Sequence, residues 1–128
     1  MPLDIKILQD TGNPKSGSFV VKLDGSLDTA TAPDLERRLV PVLAGNAQDL
    51  VFDLERLKFV TSAGLRVFAM ARRRLKERGG RTVFIRLQPQ IAEVFEIMKS
   101  LPGVAIFKDE AEMDSYLAAR QKLHEDQP

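Results

Sequence analysis

The hydrophobic positions of the chain form two kinds of run. Short apolar stretches bounded by turn residues are typical of buried strands, whereas apolar residues that repeat every three or four positions are typical of helices. The first pattern predicts strands at 5–8, 19–23, 50–54, 82–85 and 104–107. The second pattern predicts helices at 31–45, at 62–78, from 89 to about 98, and at 109–123. The first two strands are expected to pair as a hairpin.

The order of these elements indicates the fold class. After the opening hairpin, strands and helices alternate, and this alternation is typical of a parallel sheet connected by right-handed crossovers. We therefore predict an α/β fold with a mostly parallel sheet of four to five strands and about four helices. A length of 128 residues fits one domain, expected at 1–120, followed by a polar tail at 121–128 that is expected to fray.

Two helix starts carry chemical signals. Thr31 is predicted to be the N-cap of the first helix, with Asp34 three residues later completing a capping box. Pro41 lies inside that helix and is expected to kink it, because proline lacks the amide that the helix ladder uses. Ser62 is predicted to be the N-cap of the second helix, which the Gly-Gly pair at 79–80 would end.

The composition excludes several classes of function. Nineteen lysines and arginines against 18 acids leave a net charge of +1, which argues against a nucleic-acid or membrane-surface binder. The chain has no cysteine and only one histidine, His124, so thiolate metal sites are excluded and histidine-based catalysis is disfavoured. We expect no metal and no bound cofactor. No apolar run is long enough to cross a membrane, and the first residues do not resemble a signal peptide, so a cytoplasmic protein is expected.

The start of the second helix, at Ser62, is a candidate for chemistry. Free amides and the helix dipole favour an anion at a helix N-terminus. The Ser62 hydroxyl therefore has two interpretations, a structural cap or a phosphorylation site. A phosphate there would add nearly two negative charges without breaking the helix. The residues alone leave both interpretations open.

The helix that follows has two different faces. Its apolar residues share one arc and are expected to face the sheet: Leu65, Phe68, Ala71 and Leu75. Arg66, Met70 and Arg73 fall on the opposite arc, beside Ala63 and an exposed Ser62. Met and Arg are enriched at protein interfaces, which favours a partner-binding face, although a solvated face with one stray Met fits the same pattern.

Enzymatic chemistry has weaker support. The Ser-Ala-Gly at 62–64 matches only half of the G-x-S-x-G motif of hydrolases, because Val60 stands at the first glycine position. The phosphate-binding pattern G-x-x-x-x-G-K-[ST] does not occur. Asp28 and Asp53 have no third ligand of matching placement, so we interpret them as loop-capping acids rather than as an acid pair or a metal site.

Two loop motifs, G-x-L-D at 25–28 and [ST]-S-x-G-L at 61–65, bring the sequence close to a known family. With their flanking residues, GSLDTATAPDLERRL and LVFDLERLKFVTSAGLRVF, they resemble the STAS domain of bacterial anti-sigma factor antagonists, the SpoIIAA-like family. The resemblance implies the STAS fold and a switch rather than an enzyme. Family members bind an anti-sigma factor kinase of the GHKL type, which phosphorylates a serine of the antagonist, and a PP2C-type phosphatase removes the phosphate.

The resemblance also implies roles for residues of this chain. Ser62 matches the phosphorylated serine, Asp28 the aspartate of the neighbouring loop, and Asp53 the acid near the end of the third strand. Many family members have Asp immediately before the serine, and Thr61 stands there in this chain. Two consequences are open: recognition by the kinase is altered, or Thr61 is a second candidate acceptor. The implied partner-binding residues are Asp28, Thr29, Thr61, Ala63, Gly64, Arg66, Met70 and Arg73.

The implied switch works through charge. A phosphate on Ser62 would weaken the partner contact near Asp28 by like-charge repulsion and desolvation. Direct contacts with nucleic acid or a membrane are not expected. Two alternatives remain open: a STAS subunit without a phospho-switch, such as a scaffold or a transporter-complex component, and, with the least support, an enzyme.

Overall fold

A four-stranded sheet and four helices make up the part of the chain that this computed structural model describes, residues 2–9, 17–100 and 107–125. The strands are β1 (Leu3–Gln9), β2 (Ser18–Leu27), β3 (Asp49–Val60) and β4 (Arg81–Ile85). The helices are α1 (Ala32–Ala44), α2 (Ser62–Lys76), α3 (Pro89–Ser100) and α4 (Glu110–Glu125). The α/β class is confirmed. Of the strand predicted at 104–107, only Phe107 lies within the described residues, in a bend.

The sheet is mixed, with the strand order β1-β2-β3-β4. β1 runs antiparallel to β2, as the predicted hairpin requires, and β2, β3 and β4 run parallel to one another. Parallel neighbours need crossover connections, which α1 and α2 supply. Because β2 and β3 pair as far as Leu27 and Val60, the loops that follow these two strands start side by side.

β3 extends well beyond the predicted 50–54. Its register with β2 shifts twice, and at each shift β3 contributes one additional residue. Exposed Glu55 and Arg56 lie at the first shift, and Leu57 and Val60 are buried again after it. These bulges interrupt the alternation that marks a strand, so the sequence pattern predicted an end where the strand continues.

The core lies between the sheet and the helices. Its aromatic centre consists of one phenylalanine each from β3, α2, β4 and α3, with neighbouring ring centroids between 5.0 and 6.2 Å apart: Phe52, Phe68, Phe84 and Phe95. Such pairs add about 0.5–1.5 kcal/mol beyond the burial of their area. α2 buries Phe68, Ala71 and Leu75 as predicted, whereas Leu65 is only half-buried. This packing fixes the rotation of α2 about its axis and therefore the residues that it presents to solvent.

The start of α1 differs from the prediction. Thr31 is the N-cap, but its hydroxyl makes no capping bond and instead donates to the carbonyl of Ser26 at 2.8 Å. The predicted capping box with Asp34 is wrong, because the Thr31 backbone is already helical (φ −99°, ψ −20°) and its hydroxyl reaches back into the preceding loop. Pro41 lies inside α1 as predicted, and the Gly45 amide donates to the Pro41 carbonyl at 3.2 Å.

α4 continues to Glu125, so the polar segment expected to fray from Gln121 begins inside a helix. Gln121 is buried, and its amide nitrogen donates to the carbonyls of Val60 (2.8 Å) and Leu117 (3.1 Å). Its side-chain oxygen accepts from the Val60 amide at 2.9 Å. A glutamine can be buried here because all its polar groups are paired, a condition that the local sequence does not show.

We expect Gln121→Ala to lower the free energy of unfolding by about 1–3 kcal/mol for each buried backbone group that it leaves unpaired at Val60. Urea unfolding followed by circular dichroism measures the change. Lys122→Ala, at the exposed neighbouring position, is the control and should shift stability by less than about 0.5 kcal/mol. Equal unfolding midpoints for the two variants would show that Gln121 does not anchor α4.

Candidate functional site

The two loops singled out by the motifs adjoin in the structure. The Thr61 amide, just after β3, donates to the carbonyl of Leu27, the last residue of β2, at 3.0 Å. α2 approaches the same residue so closely that a Cβ on Gly64 would lie 2.6 Å from Leu27 Cγ. Only glycine allows that approach without displacing Leu27. The loop after β2 and the start of α2 therefore form one site.

Asp28 organises the loop after β2. Its Oδ1 atom accepts hydrogen bonds from the amides of Ala30 (2.9 Å) and Thr31 (3.0 Å), and its own amide donates to Thr31 Oγ1 at 2.9 Å. These bonds close a turn in which the neighbouring Thr29 is exposed. The geometry agrees with the loop-capping interpretation of Asp28.

A shallow groove of about 550 Å³ lies between α1 and α2. Five of the eight predicted partner-binding residues line it: Thr29, Ala63, Arg66, Met70 and Arg73. On α1, Ala32, Pro33 and Glu36 form the facing wall. Arg66 and Arg73 are exposed, Met70 is half-buried, and Thr61 and Gly64 are buried outside the groove. The predicted outer arc of α2 is therefore an accessible, cationic surface with one apolar side chain.

The N-cap of α2 is Thr61, with an extended backbone, and Ser62 is the first residue of the helix. The prediction of Ser62 as the N-cap is therefore wrong by one position. The Thr61 hydroxyl is buried and makes no hydrogen bond within the described part of the chain. The Ser62 amide instead donates to Asp114 Oδ1 of α4 at 2.8 Å. A carboxylate from a distant helix thus satisfies the positive end of the α2 dipole.

Ser62 is 3% exposed, so the expectation of an exposed serine is also wrong. Its hydroxyl donates to Glu110 Oε1 at 3.0 Å. The burial arises because Met113 and Leu117 of α4 pack into the core, and this packing lays the first turn of α4 over Ser62. Nothing near Ser62 in the sequence predicts a contact with residues about 50 positions later.

Arg66 connects the serine to the groove. Its guanidinium lies 2.6 Å from Glu110 Oε1, the oxygen that also accepts from Ser62. The hydrogen bond from Arg66, followed by that from the Ser62 hydroxyl, lowers the pKa of Glu110 below its ordinary value. Glu110 therefore stays ionised, and Ser62 is held as a donor to a carboxylate. Arg66 also lines the groove, so one side chain contacts both the Ser62–Glu110 pair and the groove.

Sequence reasoning missed Glu110 and Asp114. The available signal was their spacing, because residues four apart on a helix share one face. That spacing places the two carboxylates together, but it does not show what they face.

Asp53 lies within β3, seven residues before Val60, which is about 23 Å along the strand at about 3.3 Å per residue. It is buried and forms an ion pair with Arg86, which also pairs with Glu55. Burial alone would raise the pKa of Asp53, but hydrogen bonds from Arg86 and the Glu55 amide, together with the positive charges of Arg86 and Lys22, lower it overall. The loop-capping interpretation of Asp53 is therefore wrong, because Asp53 lies inside β3 and pairs with Arg86. It is also not near the strand end, as the resemblance implied, because β3 continues to Val60.

Other chemistry finds little support in the described ranges. They contain no group of three or more histidines and acids that could hold a metal ion. Across the same residues, every helix is too short or too polar to cross a membrane.

The sequence profile of the STAS domain matches residues 7–113. The chain belongs to the STAS domain family. BtrV of Bordetella bronchiseptica, assigned as an anti-sigma factor antagonist, is 36% identical over 81 residues, which cover 63% of this chain and 70% of BtrV. The anti-sigma-B factor antagonist of Staphylococcus aureus is 29% identical over 79 residues, covering 62% of this STAS protein and 73% of the relative.

The fold is also similar to that of a solved antagonist. The structure of SpoIIAA in its unphosphorylated form matches with a TM-score of 0.62 and 22% sequence identity, covering 73% of this chain and 83% of SpoIIAA. The predicted STAS fold is confirmed.

The Asp53–Arg86 ion pair makes stability depend on pH. Folding lowers the pKa of Asp53, so the ionised carboxylate stabilises the folded state. This contribution to the free energy of unfolding is fully present above the unfolded-state pKa of about 3.9, and it is lost as the pH falls through the lower folded-state pKa. We expect wild type to be more stable than Asp53→Asn near neutral pH, and the difference to shrink as the pH falls below about 4. Urea unfolding across this pH range measures it.

Asp4→Asn is the matched control for Asp53→Asn. Asp4 and Asp53 line one polar pocket on the sheet, but Asp4 is exposed whereas Asp53 is buried. Exposed charges contribute little to stability, so its curve should follow that of wild type. A difference between wild type and Asp53→Asn that stayed constant with pH would contradict the role of the ion pair.

Proposed function

We propose that this STAS protein is an anti-sigma factor antagonist that binds a GHKL-type anti-sigma factor kinase and is inactivated by phosphorylation of Ser62. The observation that carries the proposal is the position of Arg66 between Ser62 and the groove. Ser62, at the start of α2, lies on one side of Arg66, and the α1–α2 groove lies on the other side. Membership of the STAS family and the names of the relatives support the same function.

The groove is suited to a protein partner. Exposed Arg66 and Arg73 flank half-buried Met70, and Thr29 extends from the facing loop. Arginine and methionine are enriched at interfaces, and two arginines on one face favour a partner surface that carries acidic residues. In this proposal the groove is the surface that the kinase binds.

Phosphorylation changes the charge beside that surface. The Ser62 oxygen forms a bond to the γ-phosphorus of ATP, the bond from that phosphorus to the bridging oxygen breaks, ADP leaves, and the hydroxyl proton passes to a base of the kinase. The product carries about −1.5 to −2 charges and attracts Arg66, whose guanidinium contacts the same Glu110 oxygen as the Ser62 hydroxyl. Because Arg66 lines the groove, its movement would alter the binding surface, and each 1.4 kcal/mol lost is about tenfold in affinity.

A PP2C-type phosphatase would restore the binding form by hydrolysing the phosphoserine. Thr61 remains the second candidate acceptor, since its hydroxyl is adjacent in the chain and has no hydrogen-bond partner among the described residues.

The burial of Ser62 favours a second candidate function. A buried serine, 3% exposed, whose hydroxyl donates to Glu110 fits a structural role, as in a STAS subunit that binds its partners without a phospho-switch. In that case partner binding would be insensitive to the charge at position 62.

We expect Ser62→Ala bait to enrich a GHKL-type ATPase from the native lysate, and Ser62→Asp bait to recover it about tenfold less, because a negative charge replaces the hydroxyl. Quantitative mass spectrometry of the captured proteins measures the ratio. Ser62→Asn is the matched control, since it has the size of Asp without the charge, and should behave as Ser62→Ala does. Equal recovery on all three baits would favour the subunit without a switch.

The groove itself is tested by Arg73→Glu. This change reverses a charge on the proposed binding surface and should weaken binding of the captured kinase by about tenfold or more, measured by calorimetric titration. Arg72→Glu makes the same charge change at an exposed position on the other side of α2 and should bind as wild type does. Equal losses in both variants would indicate a general charge effect and would exclude the groove as the specific surface.

A further inference from the structure

Ser62 is covered by a single helical turn. Asp114 accepts from its amide and Glu110 accepts from its hydroxyl, and both carboxylates belong to the start of α4. We propose that the start of α4, residues 110–114, here called the first turn, is a latch that must open before Ser62 can be phosphorylated and that phosphoserine keeps open afterwards. This inference rests on the proposed phosphorylation of Ser62. Asp114 lies beyond the residues matched by the family profile, so the latch is argued from this chain alone.

The closed latch blocks phosphoryl transfer in two ways. Ser62 is 3% exposed, so the γ-phosphorus of ATP cannot reach its oxygen in line. Ionised Glu110 also lies beside the Ser62 hydroxyl, where the γ-phosphate of ATP must approach. Its negative charge repels the triphosphate, and its carboxylate accepts the hydrogen bond of the hydroxyl. The bond between oxygen and phosphorus can therefore form, with ADP leaving and the proton passing to the kinase, only after the turn has lifted.

Phosphate and latch compete for the same donors. A phosphate on Ser62 is satisfied by amides at the helix start and by a nearby guanidinium, and here these are the Ser62 amide and Arg66. Asp114 occupies the first and Glu110 the second. A dianion between two carboxylates is repelled by both, whereas with the turn open it gains both donors. The two arrangements exclude each other, so the modification state determines the position of the turn.

The opening is local because the rest of α4 is held elsewhere. Gln121 makes three hydrogen bonds, two of them to Val60, and Arg120 and His124 both contact Glu93 of α3. At the other end, the Arg66–Glu110 ion pair is about half exposed, with side-chain exposures of 61% and 51%, and such pairs contribute little. Met113 is the one core side chain that lies in the first turn, so opening must expose it, but the opening of one helix end costs far less free energy than unfolding of the whole fold.

The chain has no cysteine, so Ser62→Cys supplies a single thiol that reports access to this position. Its reaction with 4,4′-dithiodipyridine, an uncharged reagent, is compared with that of Ser62→Cys combined with Glu110→Ala and Asp114→Ala. The comparison uses the thiolate rate constant obtained from a pH profile, so that a changed thiol pKa does not alter the result. Removal of the latch should raise this constant about tenfold or more, equivalent to about 1.4 kcal/mol of opening free energy.

The matched control combines Ser62→Cys with Glu112→Ala and Glu125→Ala, which remove two exposed carboxylates from the same helix. Its rate constant should equal that of Ser62→Cys alone. A latch variant that reacts no faster than Ser62→Cys, or a control that accelerates equally, would overturn the proposal.

Hydrogen exchange on chains with the native serine covers the case in which Ser62→Cys fails to fold. Phosphoserine is incorporated at position 62 during synthesis of the chain, and exchange is followed by mass spectrometry. The first turn of α4 should lose protection in the phosphorylated chain while the turn around Gln121 keeps it, and unchanged protection of the first turn would overturn the proposal. No kinase is used in this experiment, so it tests the latch separately from the proposed function. Failure to capture a kinase would contradict the proposed function without contradicting the latch.

Discussion

The site depends on how the ends of β2 and β3 are held together. Parallel pairing as far as Leu27 and Val60 sets both loops at one edge of the sheet, and the bond from the Thr61 amide to the Leu27 carbonyl joins them. Gly64 then lets α2 approach Leu27 without a side chain between them. That approach fixes where α2 begins, and the packing of Phe68 in the aromatic centre of the core then fixes which arc α2 presents to the α1–α2 groove.

α4 adds a directional constraint to this packing. Met113 and Leu117 hold it against the core, but apolar contacts alone would allow it to slide. The hydrogen bonds of Gln121 to both backbone groups of Val60 remove that freedom, since their geometry is satisfied in one position only. Val60 is the last residue of β3, so the same bonds hold α4 in register with the turn that leads into Ser62.

The sequence predicted the features that depend on local periodicity. The outer arc of Arg66, Met70 and Arg73 and the buried face of α2, apart from half-buried Leu65, follow from helical spacing. The capping role of Asp28 was predicted because no third metal ligand accompanies it. The length of β3 could not be predicted, because its two bulges break the alternation on which the prediction relies. The burial of Ser62 could not be predicted either, since it depends on tertiary contacts with a helix much later in the chain.

That separation along the chain also orders events during synthesis. The partners of Ser62 are 48 and 52 residues later, so α2 is synthesised before the turn that covers Ser62. At about 5–20 residues per second, the serine of a nascent chain stays uncovered for several seconds. The environment of Ser62 in the mature protein is therefore completed only by one of the later steps of folding.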